Sequence, residues 1–389
     1  NEKLLSNSVR FALDTRPEVL ALDPAECEGQ PQALTLPVIV NGRIARPGAD
    51  AQFRFEGKAG YDFVAEVLAR RLGSPLDSVL TLTDAQGRTV ALNDDYDDKG
   101  AGLLTHHADS RLSARLPADG VYRLRLADAQ RHGGPEYGYR LRVGAPQPDF
   151  ELRVVPSTVN LRAGASAPIT VYALRRDGFE GEILLGLIEA PRGFALSGAR
   201  IPAGQEKVQL TVTAPTQPGD EPFTFALVGQ ATVNGRTIQH TAVPADDRMQ
   251  AFAYRHLVPA REFKATVTGR GTPFRSAVRQ TVQITPGGTA RLRVSAPVGR
   301  ATGKVLFELT DPPTGISVKQ CSTQGDYVEV VIACDAAKAK PGTTGNLVLE
   351  GHSERPATKA GKAANVVRAP LGFVPAIPFE ILGPALTRK

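Results

Sequence analysis

Tryptophan is absent from this sequence, methionine occurs once, cysteine three times, and aromatic residues amount to 6%. No stretch approaches the roughly 18 apolar residues of a membrane-spanning helix, so an α-helical membrane protein is excluded. Cys27, Cys321 and Cys334 form no C-x-x-C pair and no zinc spacing, which excludes the common zinc modules. Basic residues are never interleaved with aromatics in one run, so nucleic acid is not an expected partner. G-x-S-x-G, H-E-x-x-H and a local Cys/His signature are all missing, and a dispersed Ser/His/Asp triad would leave no signature of its own. No secretory signal is present, and the first residues, NEKLLSNSVRF, lack an initiating Met. The expectation is a mature or excised fragment of a larger chain.

What is present points to strands and turns. The 389 residues include 38 Gly and 30 Pro, and apolar residues make up 42%. Two or three domains of about 150 residues are expected, with turn-rich all-β structure rather than long helices. The net charge is +6. Its arginines alternate with apolar residues, as in RLSARLPADGVYRLRLAD. On a half-buried strand that places Leu inward and Arg outward, on a solvated sheet face.

Residues 1–23 read as a trailing strand and linker. From 24 to 145 the strand candidates are LPVIVNGRI, AQFRFEG, DFVAEVLARR, SVLTLTD, RTVALND, SRLSARL, GVYRLRLAD and YGYRLRVG. Turn signals such as DAQG and PADG separate them, the spacing of an antiparallel sandwich. DFVAEVLARRL carries helix-forming residues, but its alternation and short flanking loops favour a strand.

Beyond GAPQPDF the sequence repeats itself at a distance of 122 residues: Glu189 and Asp311, Gly193 and Gly315, Gly181 and Gly303, Gly229 and Gly351 fall into register. IEAPRGFALS matches TDPPTGISVK, and FALVGQ matches NLVLEG. Two copies of an immunoglobulin-like sandwich, over 148–250 and 255–385, account for the pattern without the Cys–Trp–Cys signature of antibody domains. In the second copy, Cys321 and Cys334 flank a hairpin turning near Gln324–Gly325. That register sets Cys321 opposite Val328 and Cys334 opposite Gly315. The two thiols are then on the order of 20 Å apart at ~3.3 Å per residue, and unpaired.

Residues 21–145 resemble the bacterial pre-peptidase C-terminal domain family. The likeness lies in the order of LPVIVNGRI, AQFRFEG, SPLDSVLTLTDAQG, the NDD loop and PADGVYRLRL. It implies a small, non-catalytic, jelly-roll-like β-sandwich of secreted or cell-surface proteins, set beside peptidases, with calcium or polymer binding in some members. The family's acidic linker, Glu-x-Glu-Pro-Asn-Asp, reads ALDPAE here. Asp23 and Glu26 keep a carboxylate, and Ala21 and Ala25 do not. The family's Gly-Asp-x-Asp-x-Phe reads GADAQF, with Ala49 and Ala51 at the aspartate positions and Asp50 out of phase. A calcium ion needs six to eight oxygens, so the linker site is eroded.

The remaining candidate for a hard cation is LNDDYDDKGAG. In an extended segment Asn93, Asp95 and Asp97 share one side, and Asp94 and Asp98 the other. Asp77 and Asp109 could complete a Ca²⁺ shell from neighbouring strands. The EF-hand pattern is excluded, because its glycine position is Asp98 and its glutamate position Leu104. The alternative is a soluble turn that caps its own backbone. His106 and His107 face opposite sides of a strand. Zinc would need one of them with Asp95 or Asp109. His132 reads as a loop residue. Tyr96, Tyr122, Tyr137 and Tyr139 are the candidates for an exposed aromatic strip.

The sequence therefore describes an all-β chain: a jelly-roll-like β-sandwich followed by two immunoglobulin-like β-sandwiches in tandem. The expected role is a non-catalytic, secreted, periplasmic or cell-surface module for adhesion, scaffolding or targeting of an attached enzyme. Two other roles stay open, a carbohydrate- or fibrous-protein-binding module and a self-assembling surface or filament subunit. A protein or polysaccharide partner, no membrane span, a monomeric state and no catalytic residues are expected.

Overall fold

The computed structural model describes residues 10–22, 29–98, 100, 107–252, 254–271, 273–278, 280–295, 304–356 and 366–383. Strands dominate, and the chain divides into two compact units, Asn1–Gln147 and Pro148–Lys389.

In the first unit one sheet runs in the order β1 (Glu18–Leu20), β3 (Val38–Arg43), β10 (Gly138–Gly144), β5 (Asp62–Leu68), β8 (Arg111–Arg115). The facing sheet runs β2 (Gln32–Ala33), β4 (Asp50–Gly57), β9 (Gly120–Asp128), β6 (Ser78–Thr83), β7 (Thr89–Asn93). Alternation fixes which side chains meet between them. On β4 Phe53 and Phe55 turn inward while Gln52, Arg54 and Glu56 stay exposed. Phe55 stacks on Phe63 of the opposite sheet, ring centroids 4.8 Å apart, and on Tyr122. DFVAEVL forms the expected strand, but Arg70–Leu72 continues as one 3₁₀ turn, closed by Gly73 at φ 90°.

The second unit holds two hydrophobic cores. Around the first lie β11 (Asp149–Val155), β12 (Thr158–Ala163), β13 (Ser166–Arg176), β14 (Ile183–Ile188), β15 (Ala195–Ser197), β16 (Arg200–Ile201) and β17 (Lys207–Thr213). They are followed by β18 (Phe223–Val233), β19 (Arg236–Thr241), β20 (Val243–Gln250), β21 (Tyr254–Pro259) and β22 (Phe263–Arg270). Strand β22 pairs with β12 and β18, and Phe263, Ala265 and Val267 join this core. Strand pairing thus carries the sandwich past the 250 boundary read from the sequence, because alternate apolar residues of FKATVTG face inward.

Around the second core lie β23 (Arg275–Ser276), β24 (Val282–Ile284), β25 (Thr289–Ser295), β26 (Lys304–Leu309) and β27 (Ile316–Gln324). The chain continues through β28 (Tyr327–Cys334), β29 (Thr344–Leu347), β30 (Leu349–Pro356), β31 (Val366–Phe373) and β32 (Ile377–Ile381). The two halves pair alike. Strand β12 lies parallel to β22 as β24 does to β32, and β14 pairs β18 as β26 pairs β30. Residues aligned by the repeat share unusual backbone: Glu189 and Asp311 have φ 59° and 48°, Gly193 and Gly315 φ 97° and 80°. A left-handed conformation at a non-glycine residue is uncommon, so its recurrence at aligned positions reflects a shared turn.

The hairpin between β27 and β28 corrects the expected register. Gln324 pairs with Tyr327 across Gly325–Asp326, and a bulge falls between Val318 and Gln320. Cys321 therefore stands opposite Val330 and Cys334 opposite Ile316. Both thiols are free. Cys27 lies outside the described residues.

Candidate functional site

The acidic loop leaves β7 at Asn93 and returns to β8 at Arg111. Asn93 is a strut between the two ends: its Oδ1 accepts the Arg111 N–H at 2.8 Å, and its Nδ2 donates to the Asp95 carbonyl at 3.0 Å. β7 ends at Asn93 and the chain bends at Asp94, so the strand parity expected for Asp94–Asp98 is interrupted, with only an isolated bridge at Asp97. Asp94 accepts the N–H of Asp95 at 2.9 Å, and Asp98 accepts that of Gly100 at 2.8 Å. These are the local caps of an Asx-rich turn. The Arg111 guanidinium lies over the Tyr96 ring, 5.0 Å from its centroid.

His107 fastens this loop to the sandwich. Its Nδ1 accepts the Asp109 N–H at 3.2 Å and its Nε2 lies 3.3 Å from Asp98 Oδ2. The neutral tautomer protonated on Nε2 satisfies both contacts. Asp109 is fully buried. Its Oδ1 accepts the N–H groups of Ala69 (3.0 Å) and Arg70 (2.7 Å), and its Oδ2 that of Arg71 (3.2 Å) and Arg71 Nε (2.8 Å). This carboxylate caps the 3₁₀ turn, whose first N–H groups have no partner within the turn. Its lone pairs are spent there, and Asp109 serves as an anchor rather than a cation ligand.

Burial, and next the charge of Asp95, push the Asp77 carboxyl above its ordinary range. The Asp77 N–H donates to Asp128 Oδ2 at 3.0 Å, and Asp128 Oδ1 accepts from Gln130 and His132 N–H groups. Asp97 is exposed. Among the described residues, no group of three or more His, Cys, Asp and Glu side chains is arranged to hold a metal ion. Asp50, the residue left in the family's second acidic motif, is paired with Arg125 across β4 and β9. Asp23, Glu26 and His106 lie outside the described residues.

The tyrosines do not form an exposed strip. Tyr122 and Tyr139 are 2% and 5% exposed and belong to the core. Tyr122 shares the inward parity of Leu124 and Leu126, and its hydroxyl donates to the Ala118 carbonyl at 2.8 Å. Tyr137 packs partly against the same core.

Sequence reasoning missed the ionic cluster on the neighbouring sheet. Glu66, 7% exposed, receives Arg71 Nη1 at 2.9 Å and Arg142 Nη2 at 3.2 Å, with Arg111 Nε 4.0 Å away. The signal was a lone Glu inside the apolar run FVAEVL, facing arginines on both neighbouring strands.

No family model matches the chain. Among curated proteins, a probable subtilase-type serine protease of Deinococcus radiodurans is 42% identical over 76 residues, 19% of this chain and 9% of that protein. The chain thus spans less than a tenth of that relative's length. The pre-peptidase C-terminal domain of a collagenase from Bacillus anthracis is 15% identical at a TM-score of 0.21, covering 33% of this chain and 99% of that one. The D0–D1 domain of intimin is 12% identical at a TM-score of 0.20, covering 59% and 97%. At such TM-scores these likenesses carry no argument about function.

Proposed function

We propose that the chain is a non-catalytic module of the secreted or cell-surface space that positions an attached or partner enzyme, with residues 21–145 a pre-peptidase C-terminal-type sandwich. The observation that carries this reading is how the groups capable of acid–base chemistry are used. Asp109 and His107 are tied to backbone and to each other. His240 binds Asp149 at 2.7 Å and packs edge-on against Phe150. His107 holds the acidic loop to the sandwich through both ring nitrogens, and His240 ties β19 to β11. The 76-residue likeness to a probable subtilase-type protease supports a place beside a peptidase. No helix among the described residues is long and apolar enough to cross a membrane.

The test is a comparison of one secreted serine protease with and without this chain fused to it. Targeting predicts faster digestion of an insoluble fibrous or cell-wall substrate by the fusion and equal rates on a soluble peptide. Turnover of peptide or glycoside by the isolated chain, lost on a single side-chain substitution, would overturn the proposal.

A further inference from the structure

We infer that the two sandwiches of Pro148–Lys389 work as one hinge-free spacer, locked by the side-chain amide of Asn346. Asn346 lies on β29 of the third sandwich. Its Nδ2 donates to the Gly198 carbonyl at 2.8 Å and to the Gln209 carbonyl at 2.9 Å, both in the second. One amide nitrogen has two hydrogens, and both are used across the junction. Gly198, at φ 75°, leaves the space: a Cβ there would come within 2.4 Å of Asn346 Nδ2.

The remaining junction contacts repeat the theme. Thr211 on β17 is fully buried, and its Oγ1 accepts the Ala376 N–H at 2.8 Å. Gln205 Nε2 donates to the Thr344 carbonyl at 2.7 Å. Strand β13 pairs with β31 at Ser166 and Phe373, so a nine-stranded sheet passes from one core to the other. A flexible junction would have to break these bonds together and leave a buried threonine and three carbonyls without these partners. Opening either core by global unfolding therefore strips the other of bonded surface, and the two unfold as one cooperative unit. This holds whatever the chain binds.

Hydrogen exchange on the full chain tests it. Val330→Ala removes two methyl groups from the third core, where Val330 is fully buried. It is expected to speed exchange in β28 and also in β17 of the second sandwich by a common factor, on the order of tenfold. Combining it with Asn346→Ala should confine the acceleration to β28. Should Asn346→Ala prevent folding, Thr211→Val, which keeps the shape and loses the acceptor, takes its place. Acceleration of β28 alone by Val330→Ala overturns the inference, and so does undiminished coupling in the double variants.

Discussion

Asp109 and Arg71 are joined side chain to side chain at 2.8 Å, and the same carboxylate holds the backbone N–H groups of Ala69, Arg70 and Arg71. One buried acid thereby sets the turn that follows β5 and orients the arginine that reaches Glu66. Asp109→Ala takes one partner from that arginine, which keeps Glu66, and leaves three N–H groups without theirs. Breaking a buried pair from one side costs about 3–5 kcal/mol. Urea unfolding should show that loss, and Asp109→Asn, which keeps an acceptor, should lose less.

Asp77 supplies a pH test. Its folded carboxyl is pushed up by burial and by Asp95, so between the unfolded and folded values the native state holds more protons. Stability from this group is therefore present at low pH and lost as pH rises through the folded value. Asp77→Asn removes the penalty. The variant should gain stability over wild type as pH climbs through the carboxylate range, read as a higher melting point at neutral pH. Equal pH profiles for the two proteins would contradict this.

The same pair makes the calcium question answerable. A ligand that binds only the folded state stabilises it by about 1.4 kcal/mol at ten times its Kd. A calcium site in the loop would raise the melting point of wild type and not of Asp95→Ala/Asp97→Ala, whereas the self-capped turn predicts no shift in either. A wild-type melting point indifferent to both calcium and chelator would leave the loop as a self-capped turn.

Gly193 and Gly315 occupy the same turn of the two copies, yet their surroundings differ. A Cβ on Gly315 would stand 2.7 Å from the Ala339 backbone nitrogen, and one on Gly193 3.0 Å from the Pro215 Cβ. Each alanine bears about 1–2 kcal/mol for the left-handed conformation. Gly315→Ala adds a collision with main chain that cannot rotate away. Thermal melts should rank Gly315→Ala as the more damaging of the two.

Period-two patterning was enough to read the all-β character, because Gln52–Gly57 of β4 and Tyr122–Leu126 of β9 alternate core and solvent residues. The acidic loop was found in the right place, but its chemistry was not legible. The donors that occupy Asp109 come from residues 69–71, about 40 positions upstream. Tyr122 and Tyr139 were misread because tyrosine is at home on either face. Strand parity shared with Leu124 and Leu141 would have placed them inside. The cysteine hairpin shows how small an error suffices. Moving the turn by one residue shifts the facing partners by two as far as the bulge, so Val330 rather than Val328 meets Cys321, and by one beyond it.

The sheet that runs from β21 to β26 also governs where the chain can be cut. A fragment ending near residue 270 would keep the core around β11–β22 complete, yet it would bare the Ser166 end of β13 and the Gly198 and Gln209 carbonyls that Asn346 now covers. Such an edge invites other chains to pair with it. An expression boundary at 147/148 severs none of these bonds, so Pro148–Lys389 is the smallest piece of the tandem expected to stay soluble by itself.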